Sequence, residues 1–240
     1  MMTLVIATRN AHKVQEIRAI LGRHYRYLTL DDFVAAPPIR EDGESFEENA
    51  LKKSTGLVRW LHTHPKFQAP LEAGGQSGQS RIHVLADDSG LEVDALDGAP
   101  GVNSARFAHL GSSIPGNAPD AANNNLLLSA LKGVPEERRT ARFKCVLALS
   151  PFETGNELRR NADLFGTILE KRSLIVSGTC EGRIAFGPSG AGGFGYDPLF
   201  IPDGHQQSFA ELGEQVKNRL SHRARALTLL RKWLDEQTKN

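Results

Sequence analysis

Apolar residues recur along this chain in two rhythms: short runs that suit strands, and spacings of three and four that suit amphipathic helices. Leu4 to Ala7 is such a run, and Val14, Ile17, Ile20 and Leu21 come next at near-helical spacing, so a strand is predicted to feed a helix. Residues 25–30 predict a second strand, and Pro37-Pro38 interrupts any regular element beyond it. Ser45 and Glu48 have capping-box spacing, and Phe46, Ala50, Leu51, Leu57, Val58 and Leu61 can line one face, which predicts a helix from Ser45 to about Leu61. From Pro65 to Arg81 a Gly-, Gln-, Ser- and Pro-rich stretch has no apolar period and predicts a mobile surface loop within the domain. Ile82 to Ala86 predicts a strand ending at the turn-type sequence Asp87-Asp88-Ser89-Gly90, with Leu91-Glu92-Val93 as a short extended piece beyond it. Gly111 to Asp120 is a second loose segment, ahead of a helix over about 121–132. Residues 140–150 and 173–186 are strand-rich, and 162–169 suggest one more strand. Five glycines between Gly187 and Gly195 mark a loop. Val216, Leu220, Ala224, Leu227, Leu230 and Leu234 form a closing helical stripe. The order predicts an α/β fold, a single domain over 1–240 built on a mixed, curved sheet with two lobes.

Composition narrows the partners. At 240 residues, with 40% of them in the apolar set and 24% charged, the chain can bury a real core and reads as an ordinary globular protein. Lys and Arg number 29 against 28 for Asp and Glu, a net +1, so no broad field gathers nucleic acid or anionic membrane. Any anion binding must be local. Two cysteines, Cys145 and Cys180, are too few for a disulfide framework or a thiolate metal site. The run Leu4 to Ala7 is too short for a signal-peptide core and no apolar stretch reaches membrane length, so a cytoplasmic protein is expected.

Four stretches concentrate chemistry. Thr8-Arg9-Asn10-Ala11-His12-Lys13 lies at the first strand-to-helix junction. With Asn10 as N-cap, Lys13 falls in the first turn, where its charge opposes the helix dipole and an anion would relieve the conflict. Free N–H groups, the Thr8 hydroxyl and Lys13 could hold phosphate oxygens there, although a capped surface helix with a solvated lysine accounts for the same residues. Asp87-Asp88 offers hard oxygen ligands suited to Mg²⁺, and Glu41, Asp42, Glu44, Glu47 and Glu48 could add a second carboxylate; a plain turn and a helix N-terminus are the competing readings. Gly192-Gly193-Phe194-Gly195-Tyr196-Asp197-Pro198 combines close backbone approach, two aromatic faces and a carboxylate, or is a glycine-rich connection with its aromatics in the core. Lys217 precedes Ser221-His222-Arg223; on an unbroken helix His222 and Arg223 diverge, whereas a new helix capped by Ser221 lets them converge near its start. The alternative is the polar face of a terminal amphipathic helix.

Other chemistries fit less well. Gly178-Thr179-Cys180-Glu181-Gly182 matches a nucleophile-elbow string, but the sequence continues as strand. His62 and His64 lack further ligands at zinc spacing, and neither a Walker A nor a Rossmann glycine fingerprint is present.

Taken jointly and in order, the segments ATRNAHKVQEI, EDGESFEENALKKS, LADDSGLEVDALDGAPGVNSARFA, ARFKCVLAL, GGFGYDPLF and FAELGEQVKNRLSHRARAL resemble the inosine triphosphate pyrophosphatase family. The resemblance implies hydrolysis of ITP, dITP or XTP to the nucleoside monophosphate and pyrophosphate. It also implies an elongated fold with a long mixed sheet and a cleft between two lobes, a homodimer, and a divalent metal, Mg²⁺ with Mn²⁺ as a substitute. By the same resemblance the stretch Thr8, Arg9, Asn10, Ala11, His12 and Lys13 would meet the triphosphate. Asp88 would serve as metal ligand and general base, with Glu41 as second metal carboxylate unless Asp42 or Glu44 takes that place. Ser89 would touch substrate, and Phe194, Gly195, Tyr196, Asp197, Lys217, His222 and Arg223 would surround the nucleoside. Two features depart from the family pattern: Arg9 stands where a glycine is common, and segments 62–82 and 109–120 are long. A related pyrophosphatase with another base preference, or a nucleotide-binding module without turnover, would share the same residues.

Overall fold

The computed structural model describes residues 2–33, 35–65, 71, 81–153 and 162–238. The chain opens with β1 (Thr3–Ile6), α1 (Ala11–Leu21), β2 (Arg26–Thr29) and α2 (Phe46–Thr63). The middle runs through β3 (Ile82–Val93), α3 (Asp120–Ala130), β4 (Thr140–Phe152), α4 (Ala162–Arg172) and β5 (Leu174–Ile184). It closes with β6 (Phe200–Pro202), α5 (Phe209–Leu220) and α6 (His222–Thr238). The strands form one six-stranded sheet in the order β2-β1-β3-β4-β5-β6. β1 pairs in parallel with both β2 and β3, in the register Val5 to Leu28 and Val5 to Val84, and β5 pairs antiparallel with β6. Parallel and antiparallel pairs in one sheet bear out the mixed α/β class.

The fold divides into two compact units, one of Met1–Asp88, Val146–Val176 and Leu227–Asn240, the other of Ser89–Cys145 and Ser177–Ala226. In the first, Val5, Leu57, Val58, Leu61, Val84 and Ala86 belong to one buried apolar cluster, and α2 packs against α4. In the second, Leu91, Leu127, Phe143, Cys180, Leu199 and Phe200 belong to another. The chain crosses from one unit to the other inside β3, between Asp88 and Ser89.

Two expectations change. Asp87-Asp88-Ser89-Gly90 is no turn: β3 runs through it to Val93, past the end of the β1 ladder at Leu85, with β4 as its other neighbour in the sheet, and sheet pairing outweighs local turn preference. Residues 162–169 are the first two turns of α4, not a strand, and that helix ends on Lys171 and Arg172, where cations complement the dipole. The closing stripe is two helices, α5 and α6, separated at Ser221, whose extended backbone (φ −65°, ψ 158°) breaks the helical path, so of the two arrangements read for Ser221-His222-Arg223 the new helix holds. The loop read at residues 65–81 lies mostly outside the described residues.

Candidate active site

The first unit carries a cluster of carboxylates and ammonium groups. β1 delivers the chain to the start of α1, where the Thr8 hydroxyl accepts from the Asn10 N–H at 3.1 Å and Asn10 Oδ1 accepts from the Lys13 N–H at 3.2 Å. Asn10 is thus the N-cap. Lys13 Nζ reaches Asp87 Oδ1 at 2.5 Å, so the anion that relieves its conflict with the helix dipole is a side chain of β3. Arg9 does not project freely; its Nη2 donates to the Ala36 carbonyl at 2.9 Å. Ala11 and His12 are exposed in the first turn of α1.

Asp88 is buried on β3, and Lys53 comes to it from α2. Lys53 Nζ donates to Asp88 Oδ1 at 2.7 Å and to the Asp87 carbonyl at 3.1 Å, and it lies 3.1 Å from Glu41 Oε2. Among the described residues, Asp88 Oδ2 is buried with no hydrogen-bond partner. Burial raises the Asp88 pKa and Lys53 opposes that rise. Burial alone would lower Lys53, but Asp88, Glu41 and Asp87 outweigh it and its pKa is raised, so the ammonium stays charged. Of the three acids considered for a second ligand, Glu41 alone pairs with Lys53; Asp42 pairs with Lys52 at 3.2 Å on the surface, and the Glu44 N–H donates to Glu48.

Sequence reading passed over Lys53, though a signal was there. It falls at helical spacing with Phe46, Asn49, Ala50 and Leu57, all buried, and a lysine inside an inward stripe needs an anion to meet it. His62 and His64 stack on Phe152 and Trp60 at centroid distances of 4.6 and 5.1 Å.

The second unit gathers the remaining candidates. Gly178 on β5 meets α6 so closely that a Cβ there would lie 2.3 Å from the His222 carbonyl oxygen and 2.5 Å from the Ala226 nitrogen. Only glycine allows that contact, which sets the first turn of α6 on the strand. Ser221 Oγ accepts from the Ala224 N–H at 3.2 Å and caps the helix, as the spacing predicts. His222 then stacks on Phe143, centroids 4.8 Å apart and planes 14° apart, while buried Arg223 donates to Ser89 Oγ at 2.8 Å. Lys217 Nζ bonds Asp197 Oδ2 at 2.6 Å and sits 4.3 Å from the Phe194 ring centroid; the Arg223 guanidinium lies 5.9 Å from the same centroid. Asp197 Oδ2 also accepts the Phe194 N–H at 2.8 Å, closing the turn around Gly195. Tyr196 is buried and donates its hydroxyl to the Ser104 carbonyl at 2.9 Å, anchoring the loop. Ser89, Phe194, Asp197, Lys217 and Arg223 are therefore joined by contacts, with His222 held beside Arg223 on α6.

Fold and clusters define a mixed α/β protein with a carboxylate–ammonium centre in one unit and a cation–aromatic centre in the other. The chain belongs to the Ham1 family, whose model matches residues 4–233. A dITP/XTP pyrophosphatase from Geobacter sulfurreducens is 44% identical over 239 residues, covering 99% of this chain and 98% of that protein. Another from Shouchella clausii is 41% identical over 235 residues, covering 98% of each. The solved structure of the Staphylococcus aureus Ham1 protein is 30% identical with a TM-score of 0.72, over 98% of this chain and 99% of that one.

Proposed function

We propose that this chain is a nucleoside triphosphate pyrophosphatase, hydrolysing non-canonical purine nucleoside triphosphates (ITP, dITP and XTP) to the monophosphate and pyrophosphate and so cleansing the nucleotide pool. The observation that carries this reading is identity of 41–44% over nearly full length with two proteins named dITP/XTP pyrophosphatase. The geometry supplies a chemistry to match. Thr8, Asn10 and the N–H groups of the first turn of α1 would bind triphosphate oxygens, with Ala11 and His12 beside them and Lys13 stabilising the departing pyrophosphate. Arg9, tied to Ala36, keeps spare N–H donors for the same anion.

Mg²⁺, with Mn²⁺ as a substitute, is the proposed cofactor, held by Asp88 and Glu41. The residues fit: Asp88 keeps a buried oxygen without a partner among the described residues, and Glu41 shares Lys53 with it. Among the described residues no three His, Cys, Asp or Glu side chains form a closed cage, and Mg²⁺ is commonly held by one or two carboxylates plus waters and substrate phosphates. When bound, such an ion offsets phosphate charge and acidifies water. Asp88 would accept the proton of the attacking water, and Lys53 orients its carboxylate.

Ser89, Phe194, Gly195, Tyr196, Asp197, Lys217, His222 and Arg223 are assigned to the nucleoside. Hypoxanthine and xanthine present O6 as an acceptor, which His222 or Arg223 can meet as donors. Adenine presents an N–H₂ there, and each donor left facing it costs about 1–3 kcal/mol. We further propose a cytoplasmic homodimer in which residues 1–240 act as one pyrophosphatase domain; among the described residues no helix is long and apolar enough to cross a membrane.

Pyrophosphate release from ITP, dITP, XTP, ATP and GTP, with and without Mg²⁺, tests the reading. Expected are metal-dependent release and a kcat/KM for ITP about 10- to 100-fold above that for ATP. Asp88→Asn should lose about 100-fold or more in kcat. Equal use of ATP and ITP, or near-normal turnover by Asp88→Asn at saturating Mg²⁺, would contradict it.

A further inference from the structure

The turn that carries Phe194 is gripped by two residues that no role proposed so far includes. Asp120, the first residue of α3, accepts the Gly195 N–H at Oδ2 over 2.7 Å. One helical turn later Asn124 donates its Nδ2 to the Gly195 carbonyl over 3.1 Å. Side chains four apart share a helix face, so α3 takes both backbone polar groups of a single residue. Gly195 has φ +64°, in the left-handed region that favours glycine, and a Cβ there would touch nothing within 4 Å, so conformation and not space calls for glycine. Both of its backbone polar groups are held by α3 side chains.

The grip bears on the aromatic ring next to it. The Phe194 N–H is fixed by Asp197 Oδ2, the Phe194 carbonyl accepts the Asp197 N–H at 3.3 Å, and Tyr196 is fixed through Ser104, so Gly195 lies between two anchored neighbours. The Asp120 carboxylate acts on this turn electrostatically as well: burial first, then the Asp120 charge, raises the pKa of the Tyr196 phenol. In this setting the Phe194 ring centroid lies 4.3 Å from Lys217 Nζ and 5.9 Å from the Arg223 guanidinium.

We infer that Asp120 and Asn124 are positioning residues for nucleobase recognition, setting the Phe194 ring through the Gly195 peptide. This rests on the proposed function, in which Phe194 meets the nucleoside. Loss of the grip should therefore weaken base-dependent binding and spare the step at phosphorus. In Asp120→Ala and Asn124→Ala the KM for ITP is expected to rise about fivefold each, the equivalent of one net hydrogen bond, with kcat within about twofold of wild type. The ITP-to-ATP ratio of kcat/KM should narrow with it. Asp120→Asn keeps an oxygen for the Gly195 N–H and should restore both values.

Amide hydrogen exchange at Gly195 gives a readout independent of turnover. It should accelerate in Asp120→Ala and stay near wild type in Asp120→Asn. Unchanged exchange in Asp120→Ala, or faster exchange with an unchanged KM and base ratio, would overturn the inference while leaving the pyrophosphatase reading intact. A wild-type chain that releases no pyrophosphate from ITP would instead overturn that reading, and this inference with it.

Discussion

A lysine on the inward stripe of a helix is tolerated only where polar groups meet its charge, and Lys53 meets Asp88, Glu41 and the Asp87 carbonyl. Asp88 and Lys13 were legible in the sequence because each breaks a local rule, a carboxylate beside an apolar run and a cation in a first helical turn. Lys53 breaks a rule too, but one visible only once the stripe is known to face inward. His83, on the same strand as Asp88, makes a titration prediction. Burial, and secondarily Arg81, lower its pKa to about 4 from an ordinary 6.5, and its ring meets the edge of Trp233 at 6.3 Å. Between those two values the unfolded chain takes up a proton that the folded chain refuses. Stability should therefore be lost as pH falls from about 6.5 to about 4, by about 3 kcal/mol from this residue, and be flat with respect to it above 6.5. Denaturation midpoints of wild type and His83→Gln across that range check the sign: the variant should show the shallower decline, and parallel curves would contradict it.

Elements were legible where one periodicity ruled and illegible where local preference met a long-range partner. The start of α2 at Ser45 and the cap of α6 at Ser221 arise from side-chain chemistry a few residues long. Strand β3 does not, because Asp, Ser and Gly favour turns while the chain stays extended past the β1 ladder, with β4 beside it in the sheet. α4 was hidden by an apolar segment too short to distinguish helix from strand by period alone. The seat of α6 on β5 shows the same dependence on distant partners: Gly178 has meaning only with the His222 carbonyl 2.3 Å from where its Cβ would be. Gly178→Ala should cost about 1–3 kcal/mol through overpacking, read as a lower Tm, and should raise the KM for ITP as His222 and Arg223 shift. An unchanged Tm would mean that strand and helix do not need that contact.

At the scale of the whole chain, a net charge of +1 conceals strong local pairing. Lys13 with Asp87 and Lys53 with Asp88 and Glu41 set two cations against three carboxylates within the first unit, and Lys217 pairs with Asp197 within the second. The total excluded a broad basic surface and left local anion sites open, which is what the two clusters offer. The α/β class and the order of the motifs were readable from composition and spacing. Two lobes were expected, but the boundary between the two units was not readable, since the chain passes from one to the other inside β3 at Asp88-Ser89, with no linker composition to mark the crossing. The proposed reaction is attack of water on the α-phosphorus of a non-canonical purine nucleoside triphosphate. The most direct measurement is product analysis after turnover of ITP in ¹⁸O-labelled water with Mg²⁺ present. Expected are IMP and pyrophosphate in equal amounts, with the label in IMP; label in pyrophosphate, or IDP with inorganic phosphate as the products, would contradict attack at the α-phosphorus.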